Sequence, residues 1–122
     1  MTFESESDAM QFYVTRILSQ AEREGVTLSE TERRMLSWSG SDLDLAVDSG
    51  ALQRPEGAAE LAFEAKVAGL IRRAFDRDVA ADKGTESLYR EAEAKLDEDD
   101  HYISLLIYDA FNSRPKKWWW PF

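Results

Sequence analysis

Residues 102–111, YISLLIYDAF, constrain the fold more than any other stretch, because their apolar side chains surround a helix instead of forming a stripe along it. At about 100° per residue, Ile103, Leu106, Ile107 and Ala110 cover one side while Leu105 and Tyr108 cover the other. A helix apolar all round is normally a buried one. The segment is therefore expected to be a central helix, with the remaining helices packing on it through one apolar stripe each.

Those stripes are legible along the chain. Residues 1–6 read as a frayed, polar start, and Ser7 with Asp8 reads as an N-cap followed by an acid in the first turn, where the helix dipole favours negative charge. Met10, Val14, Ile17, Leu18 and Ala21 then recur on one face, and Gly25 stands where a left-handed C-terminal residue is expected. Phe12 falls on the far side of that stripe, against another element or exposed. Ser29-Glu30-Thr31-Glu32 is a capping box preceded by Leu28 as a hydrophobic staple, and the short helix it opens carries Met35, Leu36 and Trp38. Ser39-Gly40-Ser41-Asp42 breaks it, and an irregular loop over about 39–58 follows.

From Glu60 the spacing becomes strong again. Phe63, Val67, Leu70, Ile71, Ala74 and Phe75 share one face, with Lys66, Arg73 and Arg77 opposite, and Gly69 sits on the polar side at a cost of about 1 kcal/mol relative to Ala. Asp82-Lys83-Gly84 ends this helix, and Thr85 caps a weakly apolar one bearing Leu88, Ala92 and Leu96. Four acids, Asp97 to Asp100, precede the 102–111 segment, as the dipole prefers, and Arg114-Pro115 closes it. No repeat, long heptad run or strand-like alternation is present. The expected fold is all α: a single compact bundle of four or five helices over residues 1–122, ending in an aromatic tail.

Charge and composition narrow the function classes. The net charge of −9, from 24 acidic against 15 basic side chains, repels a phosphate backbone, so nucleic acid is not an expected partner. Cysteine is absent, which removes disulfides, thiolate nucleophiles and cysteine-bound zinc. The start, MTFESESDAMQ, lacks the basic and apolar regions of a signal peptide, and no run approaches the length of a membrane span. A cytoplasmic domain is the expectation.

Few residues point to chemistry. On a helix Asp97, His101 and Ser104 would lie at i, i+4 and i+7, imitating the residue types of a hydrolytic triad, but one continuous helix rarely aligns all three with an oxyanion hole. Asp97, His101 and Asp100 could supply metal ligands, yet no second histidine completes a bundle-type centre. Asp76-Arg77-Asp78 opens like an EF-hand loop, then continues with Ala80 and Ala81 where an oxygen ligand and a glycine are required. No catalytic residue, metal ligand or cofactor is assigned. A small hydrolase or metal-binding protein centred on Asp97, His101 and Ser104 is the alternative, and an acidic inhibitor or immunity-type protein is a third.

The tail is the one stretch whose composition is hard to explain as ordinary surface. Lys116, Lys117, Trp118, Trp119, Trp120 and Phe122 place two cations beside four large aromatics, a mixture suited to the headgroup layer of a membrane or to a protein interface. The competing reading is that the tail fills a groove on its own domain or on a second copy of the chain.

The blocks FYVTRILSQAEREGVTLSETERRMLSWS, EAKVAGLIRRAFDRD and EDDHYISLLIYDAF resemble, in this order, a group of short uncharacterised bacterial proteins that are all helical. Some members of that group continue into a hydrophobic segment at the C-terminus, so the resemblance implies a cytoplasmic, membrane-proximal domain and no reaction or cofactor. This sequence has WWWPF at that place. The expectation is thus a non-enzymatic interaction module, peripheral at the membrane, with the tail as its contact.

Overall fold

A computed structural model of the chain describes residues 3–37, 49–50, 57–96 and 101–112. Within them lie five helices: α1 (Glu6–Glu24), α2 (Glu30–Leu36), α3 (Ala58–Ala81), α4 (Thr85–Leu96) and α5 (Tyr102–Asn112). No strand occurs among the described residues, and the fold is all α. Most of the loop expected over about 39–58 and the tail at 115–122 lie outside the described residues, as do Asp97 to Asp100.

Local signals decide where the helices start and stop. The cap of α1 is Ser5, two residues before the expected Ser7, because the Ser5 hydroxyl accepts the Asp8 backbone N–H at 3.2 Å. The chain before it is not frayed at Phe3, which is buried in the core with its ring edge-on to Phe12 at 5.3 Å. Gly25 ends α1 at φ 70°, and the N–H groups of Gly25 and Val26 bond the carbonyls of Glu22 and Ala21, the crossed pair of a Schellman motif. The capping box at α2 is complete: Ser29 Oγ accepts from Glu32 N–H at 3.1 Å, and Glu32 accepts from Ser29 N–H at 2.8 Å. Thr85 opens α4 as its first residue, with the preceding turn held by Gly84 N–H donating to Asp82 at 3.0 Å.

Each helix buries the face that its spacing marks, with two additions. All six residues of the α3 stripe, Phe63, Val67, Leu70, Ile71, Ala74 and Phe75, are buried. On α1 the buried face is Ala9, Met10, Tyr13, Ile17 and Ala21, rotated toward Tyr13 so that Val14 and Leu18 are half-buried. On α4 Tyr89 joins Ala92 and Leu96 inside, while Leu88 remains half-buried.

The expectation for the last helix needs correction. Tyr102, Ile103, Leu106 and Ile107 are buried, but Leu105 is 48% and Tyr108 61% exposed, so α5 is covered on one side only. The helix in the middle of the bundle is α3, which packs against α1, α4 and α5. Apolar residues all round a helix make burial favourable on every side. They do not supply neighbours: α5 also meets three helices, α2, α3 and α4, yet none of them covers Leu105 and Tyr108.

Candidate functional site

Chain direction follows from side-chain pairs. Glu24, Gln20 and Arg16 on α1 meet Arg73, Arg77 and Asp78 on α3, so these helices run in opposite senses along that stretch. Tyr102 at the start of α5 stacks on Phe63 and donates to Glu64, while Phe111 at its end meets the Phe75 ring edge at 5.0 Å. Helices α3 and α5 therefore run the same way, and the chain leaves α5 near Phe75.

His101 and Ser104, the two described residues of the triad-like spacing, bond elsewhere. His101 Nε2 lies 3.1 Å from Glu6 Oε1, a partner on α1, and Ser104 Oγ faces the Leu96 carbonyl at 3.5 Å. Neither contact joins the histidine to the serine, and Asp97 lies outside the described residues. His101 Nδ1 is buried with no hydrogen-bond partner among the described residues. No group of three or more His, Asp or Glu placed to hold a metal occurs among the described residues.

A polar and aromatic cluster that the spacing rules missed joins α1, α3 and α4. Tyr89 is buried, its hydroxyl donates to Asp78 Oδ2 at 2.6 Å, and its carbonyl accepts from the Tyr13 hydroxyl at 2.9 Å. Phe12, Tyr13 and Phe75 all present ring edges to it at 5.1 to 5.6 Å. Asp78 also binds the Arg77 guanidinium at 3.0 Å, Arg77 donates to Gln20 at 2.8 Å, Gln20 donates to Glu24, and Glu24 takes both arms of Arg73 at 2.7 and 2.9 Å. Arg16 closes the outer edge, 3.6 Å from Asp78 and over the Phe12 ring at 4.5 Å.

The electrostatics of this cluster are those of a brace. Burial alone would raise the Asp78 carboxyl, but hydrogen bonds from Tyr89 and Arg77 and the charges of Arg77 and Arg16 outweigh it, so the group lies below the ordinary carboxylate range. Burial and the bond to Asp78 push the Tyr89 hydroxyl well above an ordinary tyrosine. The phenol donates to a carboxylate that two guanidinium groups also hold.

The opposite flank of α3 is open. A groove of about 670 Å³ runs between α3 and α5, with Leu61, Ala65, Ala68, Gly69 and Ala110 as its apolar lining. Its charged groups are Glu64, Asp109 and Arg72, the last paired with Asp76 at 3.3 Å. Leu61 is 68% exposed at one end. The signal for this face was present in the sequence: Leu61, Ala65 and Ala68 recur at i, i+4 and i+7, a second stripe of mostly small residues beside the large one. The volume falls within the roughly 300–1,000 Å³ usual for ligand clefts, but among the described residues no nucleophile or histidine lines it.

No helix among the described residues is long and apolar enough to cross a membrane. Lys116, Lys117, Trp118, Trp119, Trp120 and Phe122, the contact residues expected from sequence, lie outside the described residues. No family model matches the chain, and no curated protein or solved structure matches it either.

Proposed function

We propose that this protein is a small, non-enzymatic helical interaction module, cytoplasmic and peripheral at the membrane, whose contact is the basic aromatic tail. Lys116, Lys117, Trp118, Trp119, Trp120 and Phe122 form that contact, and its partner is an anionic lipid surface or a protein of like character. The observation that carries this reading is the uncovered half of α5, where Leu105 and Tyr108 leave apolar surface in water on the helix that leads into the tail. The resemblance of three sequence blocks to short bacterial proteins, some of which continue into a hydrophobic C-terminal segment, supports it. Each lysine contributes about 1 kcal/mol near an anionic surface, and the indoles settle at headgroup depth beside them. The acidic body opposes this only within about 8 to 10 Å at physiological salt.

Co-sedimentation with phosphatidylserine-containing vesicles tests the reading, comparing the full chain with a truncation ending at Arg114. The full chain is expected to bind weakly, to lose binding as salt rises, and to depend on the tail. Equal sedimentation of the two forms, or none of either, removes the membrane as the partner.

A further inference from the structure

We propose that the groove between α3 and α5 is the seat of the chain's own tail, residues 116–122, which lies in it when no external surface holds it. This goes beyond the contact proposed above, because it assigns the tail a site on its own domain. Four observations carry it. The first is position: Asp109 and Ala110, which line the groove, stand three and two residues before the end of α5.

The second is reach. The groove lining on α3 extends from Leu61 to Arg72, about 17 Å along the helix axis. The chain leaves α5 near Phe75 and must turn back to follow the groove, and Pro115 disfavours helix continuation. Residues 113–122 extend at most about 35 Å, enough to return from Asn112 past Arg72 as far as Leu61.

Shape is the third. Ala65 and Ala68 make a floor without bulk beside the Arg73 guanidinium that covers Gly69, and Leu61 closes the far end with aliphatic surface. Charge is the fourth. Among the described residues of the lining, Glu64 and Asp109 are acidic and Arg72 is paired with Asp76, while Arg73 over Gly69 is paired with Glu24, a balance that suits Lys116 and Lys117. A guanidinium such as that of Arg72 also lies well over an indole face. A second copy of the chain would meet the same surface, but a tether of this length holds the tail at about millimolar effective concentration, above that of any ordinary solution of the protein.

Amide chemical shifts of the full chain and of the chain ending at Arg114, compared without vesicles, test the seat. The expected result is a set of differences at Ala65, Ala68, Gly69 and Leu61 that is unchanged on dilution. Ala65→Arg in the full chain, at an exposed position that tolerates it, should reproduce the truncated chain's shifts at Ala68 and Leu61. It should also move the emission of the tail tryptophans to the red, once the contribution of Trp38, measured in the truncated chain, is subtracted. Leu61→Asp is a second block should Ala65→Arg fail to fold. Differences confined to the residues next to the cut, or differences that fade on dilution and so mark a second copy, overturn the proposal. Loss of vesicle binding leaves these shifts untouched, so the two readings fail separately.

Discussion

The two flanks of α3 are built from one continuous helix and solve opposite problems. Toward α1 and α4, charged side chains pair across the seam: Arg73 with Glu24, Arg77 with Gln20 and Asp78, and Asp78 with Tyr89. Toward α5, the large stripe is buried but the adjoining stripe of Leu61, Ala65 and Ala68 faces an open groove. Although an α3–α4 groove of about 440 Å³ remains at Phe75, Val79 and Lys83, a flank whose charges are matched within the bundle keeps less capacity for a partner. A flank with small residues and exposed leucine retains it, at the cost of apolar surface in water.

The largest test of this contrast uses neighbouring residues on α5. Leu106 is fully buried, and Leu106→Ala should lower the unfolding free energy by about 2 to 5 kcal/mol. Leu105→Ala, one residue away and 48% exposed, should change it by less than about 0.5 kcal/mol. Urea denaturation measures both. Equal losses would mean that the outer side of α5 is covered after all and that the two flanks do not differ.

The next effect probes the closed flank. Tyr89→Phe keeps the ring edges in place but removes the donor to Asp78, and should cost about 1 to 3 kcal/mol because an ionised, partly buried acceptor loses a bond. The same cluster sets an acid dependence. Asp78, Glu32 and Glu24 all sit below their ordinary values of 3.8 and 4.5: Asp78 through Tyr89 and Arg77 against an opposing burial effect, Glu32 through Ser29 and Lys66 against the same, Glu24 through Arg73 and Gln20. A depressed folded-state value means that the stability is complete above the ordinary carboxylate range and is lost as pH falls through the depressed values. Thermal melts of the parent should therefore drop steeply below about pH 4, and Asp78→Asn should flatten that drop while lowering stability at neutral pH. An unchanged acid limb in Asp78→Asn would show that the ladder contributes no pH-dependent stability.

What was legible in the sequence was local. The capping box at Ser29 and Glu32, the left-handed Gly25 and the stripe from Phe63 to Phe75 depend on residues within a few positions of one another, and each stands where its spacing places it. Tyr89 escaped because its helix looks weakly apolar when only aliphatic residues are counted, and because its partner Tyr13 is 76 positions away. The position of α5 escaped for a related reason: periodicity reports what a helix can bury, whereas coverage depends on where the other helices lie. Of the site residues, the triad-like spacing of His101 and Ser104 was legible and misleading, since Glu6 and the Leu96 carbonyl, both outside the motif, take their polar atoms.

The smallest expected effect lies where the two flanks meet. Gly69 lines the groove, yet a Cβ built there would come within 2.8 Å of Arg73 Nη1, the guanidinium that serves Glu24 on the other side. Gly69→Ala gains about 1 kcal/mol of helix propensity. It must also move the Arg73 tip, a flexible group half exposed to water, and so weakens an exposed ion pair. The two nearly cancel, and the substitution should stabilise the parent by about 0 to 0.5 kcal/mol. In an Arg73→Ala background the clash is gone, and the same change should yield close to the full 1 kcal/mol or so. The double-mutant cycle isolates the difference as the coupling between position 69 and Arg73. A gain of the same size in both backgrounds would show that Arg73 does not need the missing Cβ, and that Gly69 serves the groove alone.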